Sequence, residues 1–148
     1  MTWKPHVTVA AVIRRKNKFL MVEEKIDGHR VYNQPAGHLE PGETLLQAVI
    51  RETLEETAWL FEPQSLIGIY QWLNPHNNKS FMRFSFAGHC LEHDALRPLD
   101  TDIERAVWLS IEDIQEREQS LRSPMVLQCI HDYLKGNAYP LTVLKGLS

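Results

Sequence analysis

Between Gly37 and Trp59 runs GHLEPGETLLQAVIRETLEETAW, in which Glu52, Glu55 and Glu56 stand three and four residues apart. An α-helix advances about 100° per residue, so the three carboxylates fall within an arc of roughly 100°. Leu46, Val49, Ile50 and Leu54 supply an apolar stripe with the helical period. Like charges at these spacings each destabilise an isolated helix by about 0.2–0.5 kcal/mol. Glu52 and Glu56 also share a side with Leu45, Ala48 and Val49, which a solvated acidic face would not explain. Hard oxygen ligands gathered this closely suit a divalent cation, Mg²⁺ or Mn²⁺.

The flanking positions are spaced as regularly as the glutamates. Gly37, Glu43, Arg51-Glu52 and Glu55-Glu56 together make the stretch resemble the Nudix box, G-x5-E-x7-R-E-U-x-E-E-x-G-U with U apolar. The family marked by that box consists mostly of Mg²⁺-dependent pyrophosphohydrolases. Two positions depart from it: Thr53 replaces an apolar residue and Ala58 replaces a glycine. Thr53 falls inside the apolar stripe, where its methyl can pack and its hydroxyl can bond a carbonyl one turn earlier. At Ala58 a left-handed residue after the helix would cost about 1 kcal/mol or more relative to glycine, unless the helix runs on. Neither change touches an expected ligand.

Composition narrows the remaining choices. A chain of 148 residues suits one domain, here residues 1–148, burying roughly 70% of its unfolded surface. A net charge of −3, with no extended basic run, gives no electrostatic reason to bind nucleic acid or an anionic membrane. Cys90 and Cys129 lack metal-ligand spacing and read as free thiols in a reducing compartment. Val7–Ile13 contains threonine and is followed by Arg14-Arg15-Lys16, so it reads as a strand and not as a signal peptide. No segment reaches the roughly 18 apolar residues of a membrane span. The expectation is a cytoplasmic protein.

Along the chain, Val7–Ile13 and Phe19–Glu23 read as a hairpin, and Asp27-Gly28 turns into a strand that Pro35 stops. Pro41-Gly42 precedes a helix starting near Glu43-Thr44. Ser65–Leu73 and Ser80–Cys90 read as paired strands, with Arg83 on the face opposite Phe84 and Phe86. Arg105–Leu109 is a further strand, Ser110 caps a helix with Asp113 as its partner, and Ser123-Pro124 opens a last helix ended by Gly136. The pattern agrees with the α/β fold that the resemblance implies, an α/β/α sandwich around a mixed β-sheet.

The resemblance also implies roles. Glu52 and Glu56 would ligate metal directly, Glu55 would bind a second ion or act as general base, and the backbone carbonyl of Ala36 would join them. Arg51 and Glu43 would brace the cluster, with Arg51 fixing a carboxylate rotamer. Asp100, Asp102 and Glu104 are reserve bases. From the residues alone, Tyr32 and Trp72 can stack on a flat heterocycle, Gln34 can bond its edge and Arg83 can meet a phosphate. The histidines form no cluster in sequence and receive no role.

Similarity beyond the box, through KPHVTVAAVI, YNQPAGHLEPGETL, QWLNP, WLSIEDI and LRSP, implies a phosphatase branch of the family acting on small phosphorylated molecules, and a monomer is expected. Its substrates would be nucleoside tri- and diphosphates, hydroxymethylpyrimidine pyrophosphate and thiamine pyrophosphate, with release of orthophosphate. Three rival expectations stand beside it. One is another substrate class, such as nucleotide sugars, dinucleoside polyphosphates or capped RNA ends. Another is a non-catalytic binding module. The third is an isomerase or an enzyme that removes oxidised nucleotides.

Overall fold

A computed structural model describes residues 2–147, which hold seven strands and three α-helices. The strands are β1 (His6–Arg15), β2 (Lys18–Ile26), β3 (His29–Asn33), β4 (Ala36–His38), β5 (Trp59–Leu73), β6 (Ser80–His93) and β7 (Ile103–Ser110). The helices are α1 (Leu45–Thr57), α2 (Ile111–Glu116) and α3 (Pro124–Leu134).

Strand β1 organises the sheet. It runs parallel to β6 from His6 to Ile13, which makes the sheet mixed. Its opposite edge is divided, with β4 antiparallel at Thr8–Ala10 and β2 antiparallel at Arg14–Arg15. The order is β3-β2-β1-β6-β5, with β4 added to β1 and β7 to β2. Residues Val9–Ile13 are buried on both faces, as an uninterrupted apolar run in a central strand requires. Val9, Ala11 and Ile13 pack with Phe86, Ala48 and Val49 beneath α1, whereas Val12 and Ala87 pack with Val126, Cys129 and Ile130 beneath α3. Two apolar layers on opposite faces of one sheet are the expected sandwich.

Helix α1 starts by a reciprocal cap. Thr44 Oγ1 accepts the Gln47 amide at 3.1 Å, and Gln47 Oε1 accepts the Thr44 amide at 2.9 Å. Thr53 is fully buried and its hydroxyl donates to the Val49 carbonyl at 2.7 Å, so the departure at that position is absorbed within the helix. The helix ends at Ala58, which is left-handed with φ 62° and ψ 16° and donates its amide to the Leu54 carbonyl at 2.9 Å.

Two boundaries differ from the sequence reading. Strand β5 begins at Trp59, immediately after the helix, and not at Ser65. Pro63 obscured this start; it is accommodated at a register irregularity on the outermost strand, where a missing donor is tolerated. The three-residue β4 was not anticipated because it is too short to show a period. Past α3, Leu66 and Tyr139 exchange backbone hydrogen bonds of 2.9 and 2.7 Å along the edge of β5. Leu141 and Leu144 then reach the apolar layer under α1, and Gly146 lies against Thr44.

Because Ala58 holds a conformation disfavoured for a residue with a Cβ, Ala58→Gly should raise the unfolding free energy by roughly 0.5–1 kcal/mol. A shift of the urea midpoint at constant slope measures it.

Candidate functional site

The last two turns of α1 carry the acidic residues to one edge of β4. Carboxylate oxygens of Glu52, Glu55 and Asp100 lie within 4.8 Å of one another. Asp100 arrives there because the loop before β7 is fastened to carbonyls at the end of α1. Its amide donates to the Glu55 carbonyl at 3.0 Å, and the Asp94 amide donates to the Ala58 carbonyl at 2.9 Å. Of the three reserve bases, Asp100 alone joins this group among the described residues; Asp102 and Glu104 are exposed.

Glu56 lies behind the group, buried, with its Oε1 accepting the Ala36 amide at 2.9 Å. What fastens Ala36 to the cluster here is therefore its N–H. Gly37 matters for a second reason: a Cβ there would fall inside van der Waals contact of the Glu52 carboxyl group. The glycine leaves the space that this carboxylate occupies.

Arg51 is the cation of the assembly. It donates to Glu43 at 2.7 and 3.0 Å, Glu52 at 2.6 Å, Glu55 at 2.9 Å and the His38 carbonyl at 3.0 Å. Its bonds to Glu43 come first in raising its own pKa and in holding Glu43 low. One guanidinium does not balance the site. Burial raises Glu52, and Glu55 and Asp100 add to the effect. Burial pushes Glu56 from its ordinary 4.5 up to about 9, helped by the negative charges of Glu52, Glu24 and Asp100. Asp100 is raised by burial and by Glu55. A converging, undercompensated set of hard oxygens fits a divalent cation. The residues that would hold it are Glu52, Glu55, Glu56 and Asp100.

The residues expected to meet substrate are distributed differently. Arg83 does lie opposite Phe84 and Phe86, but α3 covers that face and leaves it 3% exposed. Its Nη2 donates to Asn33 Oδ1 at 3.0 Å and Gln34 Oε1 at 2.5 Å, and its Nε has no partner among the described residues. Gln34, 1% exposed, spends its amide on the Val126 carbonyl at 2.8 Å. Tyr32 is buried with its hydroxyl donated to Glu23 at 2.9 Å. Contrary to the sequence reading, the polar ends of Tyr32 and Gln34 are therefore directed into the protein, and Arg83 braces Asn33 and Gln34. Trp72 alone of the four is partly open, stacked on Phe81 at 5.8 Å between ring centroids.

Sequence reasoning missed Glu24 and Arg122. Glu24 lies in a buried stretch of β2, accepts Arg122 Nη1 at 2.5 Å and acts electrostatically on Glu56. No local pattern marked either residue, since both matter only through pairing across the fold. The histidines do meet: His6 and His38 contact edge to face at 5.5 Å.

Two measurements test this geometry. Gly37→Ala should leave the melting temperature nearly unchanged, because only the end of a flexible side chain must move, while weakening divalent-ion affinity at least tenfold by calorimetric titration. In EDTA, the folded state keeps the Glu56 proton between about 4.5 and 9, an interval in which the unfolded chain has lost it. Metal-free stability should therefore fall as pH rises through that interval, and Glu56→Gln should flatten the decline in melts at pH 5, 7 and 9.

A sequence model of the NUDIX domain matches residues 4–129. The chain is 44% identical over 142 residues to phosphatase NudJ of Escherichia coli K12 and to that of Shigella flexneri, covering 96% of this chain and 92% of each relative. It superposes on a NUDIX hydrolase from Nitrosomonas europaea with a TM-score of 0.95 and 49% identity, covering 97% of this chain and 98% of that one. Nudix hydrolases generally use divalent metal ions and act on small phosphorylated molecules, and no described helix is long and apolar enough to cross a membrane. The chain belongs to the Nudix hydrolase family and, within it, resembles the phosphatase NudJ.

Proposed function

We propose that the protein is a Mg²⁺-dependent phosphohydrolase of nucleoside tri- and diphosphates and of small heterocyclic diphosphates, hydroxymethylpyrimidine pyrophosphate and thiamine pyrophosphate among them. It releases orthophosphate. The observation that carries this reading is the convergence of Glu52, Glu55 and Asp100 within 4.8 Å, with Glu56 buried behind them. Mn²⁺ would satisfy the same oxygens.

Hydrolysis of a phosphoanhydride must overcome repulsion between a polyanion and its attacker, and a divalent ion bound here would neutralise phosphate charge and acidify water. The chain supplies the rest. Glu52 is held against Gly37, Glu56 is oriented by the Ala36 amide, and Arg51 fixes Glu52 and Glu55 in mutual register. Of the two carboxylates hydrogen-bonded to Arg51 Nη1, Glu55 has the more open side chain, 30% against 12% exposed, which favours it as the base that takes the proton of water. Water adds to the terminal phosphorus, the bridging P–O bond breaks, and orthophosphate departs from the shortened phosphate ester. The backbone carbonyl of Ala36 completes the proposed ligands.

The site suits a monomer acting on small molecules in the cytoplasm, which the free thiols Cys90 and Cys129 and the absence of any large basic excess support. Phosphate release should require Mg²⁺ and stop with EDTA. Glu56→Gln should lose at least a thousandfold in kcat while keeping its circular dichroism. A near-wild-type rate for that variant would overturn the ligand assignment, and release of pyrophosphate in place of orthophosphate would overturn the cleavage position.

A further inference from the structure

Four aromatic rings line up across four strands on the α3 face. Trp72 of β5 stacks on Phe81 of β6 at 5.8 Å and 28°, and Phe81 stacks on His6 of β1 at 5.1 Å and 29°. His6 meets the edge of His38 in β4 at 5.5 Å. Gly37 turns toward Glu52 on the opposite face of β4, and the row meets the acidic cluster through the strand's backbone, where the His38 carbonyl accepts Arg51 Nη2 at 3.0 Å.

At its far end the row opens into a groove of about 560 Å³. Trp72, Pro75, Pro124 and Leu127 give it apolar walls, and Arg122 and His131 give it polar ones. Arg122 joins groove to cluster. Its amide donates to the Tyr32 carbonyl at 2.8 Å and its guanidinium to Glu24, while its side chain stays 49% exposed. Glu24 in turn acts on Glu56, and Arg122 and Lys79 both act electrostatically on His38. Flat rings and the Arg122 guanidinium thus lie between β4 and the groove, whose lining also includes Glu118. A phosphate requires the guanidinium, and an aromatic heterocycle the rings.

We propose that this groove binds the organic half of the substrate: a planar heteroaromatic group stacks against Trp72, and Arg122 holds the non-reacting phosphate beside it. The terminal phosphate is thereby directed toward Glu52 and Glu55. Arg83, which the alternation of β6 offered for a phosphate, remains a buried brace beneath the floor. The assignment rests on the phosphohydrolase reading and names the substrate class of that same site.

The test compares CTP and thiamine pyrophosphate, which carry planar rings, with inorganic tripolyphosphate, which carries none. Trp72→Leu should raise KM for the two ring-bearing substrates at least tenfold with a much smaller change in kcat. The ratio of kcat/KM for CTP to that for tripolyphosphate should fall by the same factor. Trp72→Phe, which keeps a flat ring, should recover most of the ratio, and Arg122→Gln should weaken all three substrates. Equal losses on ringed and ringless substrates, or an unchanged KM in a folded Trp72→Leu protein, would overturn the proposal. Binding of CTP to the whole protein with Ca²⁺ replacing Mg²⁺ separates the two readings. Tight binding that depends on Trp72, in a protein that hydrolyses nothing with Mg²⁺, would support the groove and refute the phosphohydrolase; binding indifferent to Trp72 would refute the groove alone.

Discussion

Mutual repulsion among carboxylates, relieved incompletely by Arg51, is the constraint around which this protein is arranged. Four acidic side chains gather near the end of one helix, and burial of Glu52 and Glu56 denies those two the water that would screen their charge. Such a cluster does not hold itself together. It is held by neighbours: the cap at Thr44, the Ala36 amide on Glu56, the fork of Arg51, and the loop whose amides close on the last carbonyls of α1. Each is a directional bond, and together they keep the carboxylates facing one another where free rotation would let them separate.

The sheet supplies the frame for this. By dividing one edge of β1 between β4 and β2, the fold places the short β4 beside α1. The parallel partnership with β6 brings residues remote in sequence, His6 and Phe81, into one row. The sandwich thus separates two tasks. One apolar layer fixes the helix that bears the acidic groups, and the other fixes the wall of the groove.

How much of this could be read from the chain varies with the range of the interactions. Helix α1 was legible because its period, start and charge spacing are local, and the placement of Thr53 followed from the wheel, whereas the reciprocal cap of Thr44 and Gln47 was not read. The side on which Arg83 falls was also legible, since strand alternation is local. Its burial was not, because that depends on where α3 docks. Asp100 could be shortlisted but not chosen over Asp102 and Glu104, since the deciding hydrogen bond runs to a carbonyl far back in the chain. Glu24 and Arg122 gave no signal at all: a glutamate in a strand and an arginine in a loop acquire meaning only from each other.

The pairing of Leu66 with Tyr139 bears on how the protein behaves in a crowded solution. Strand β5 has fifteen residues and forms an outer margin of the sheet, where bare amides and carbonyls invite another chain to add itself. By lacing its own C-terminal segment along that margin, the molecule occupies part of the template on which intermolecular strand growth would begin. The same C-terminal segment that packs under α1 thereby covers part of an edge otherwise open to strand addition.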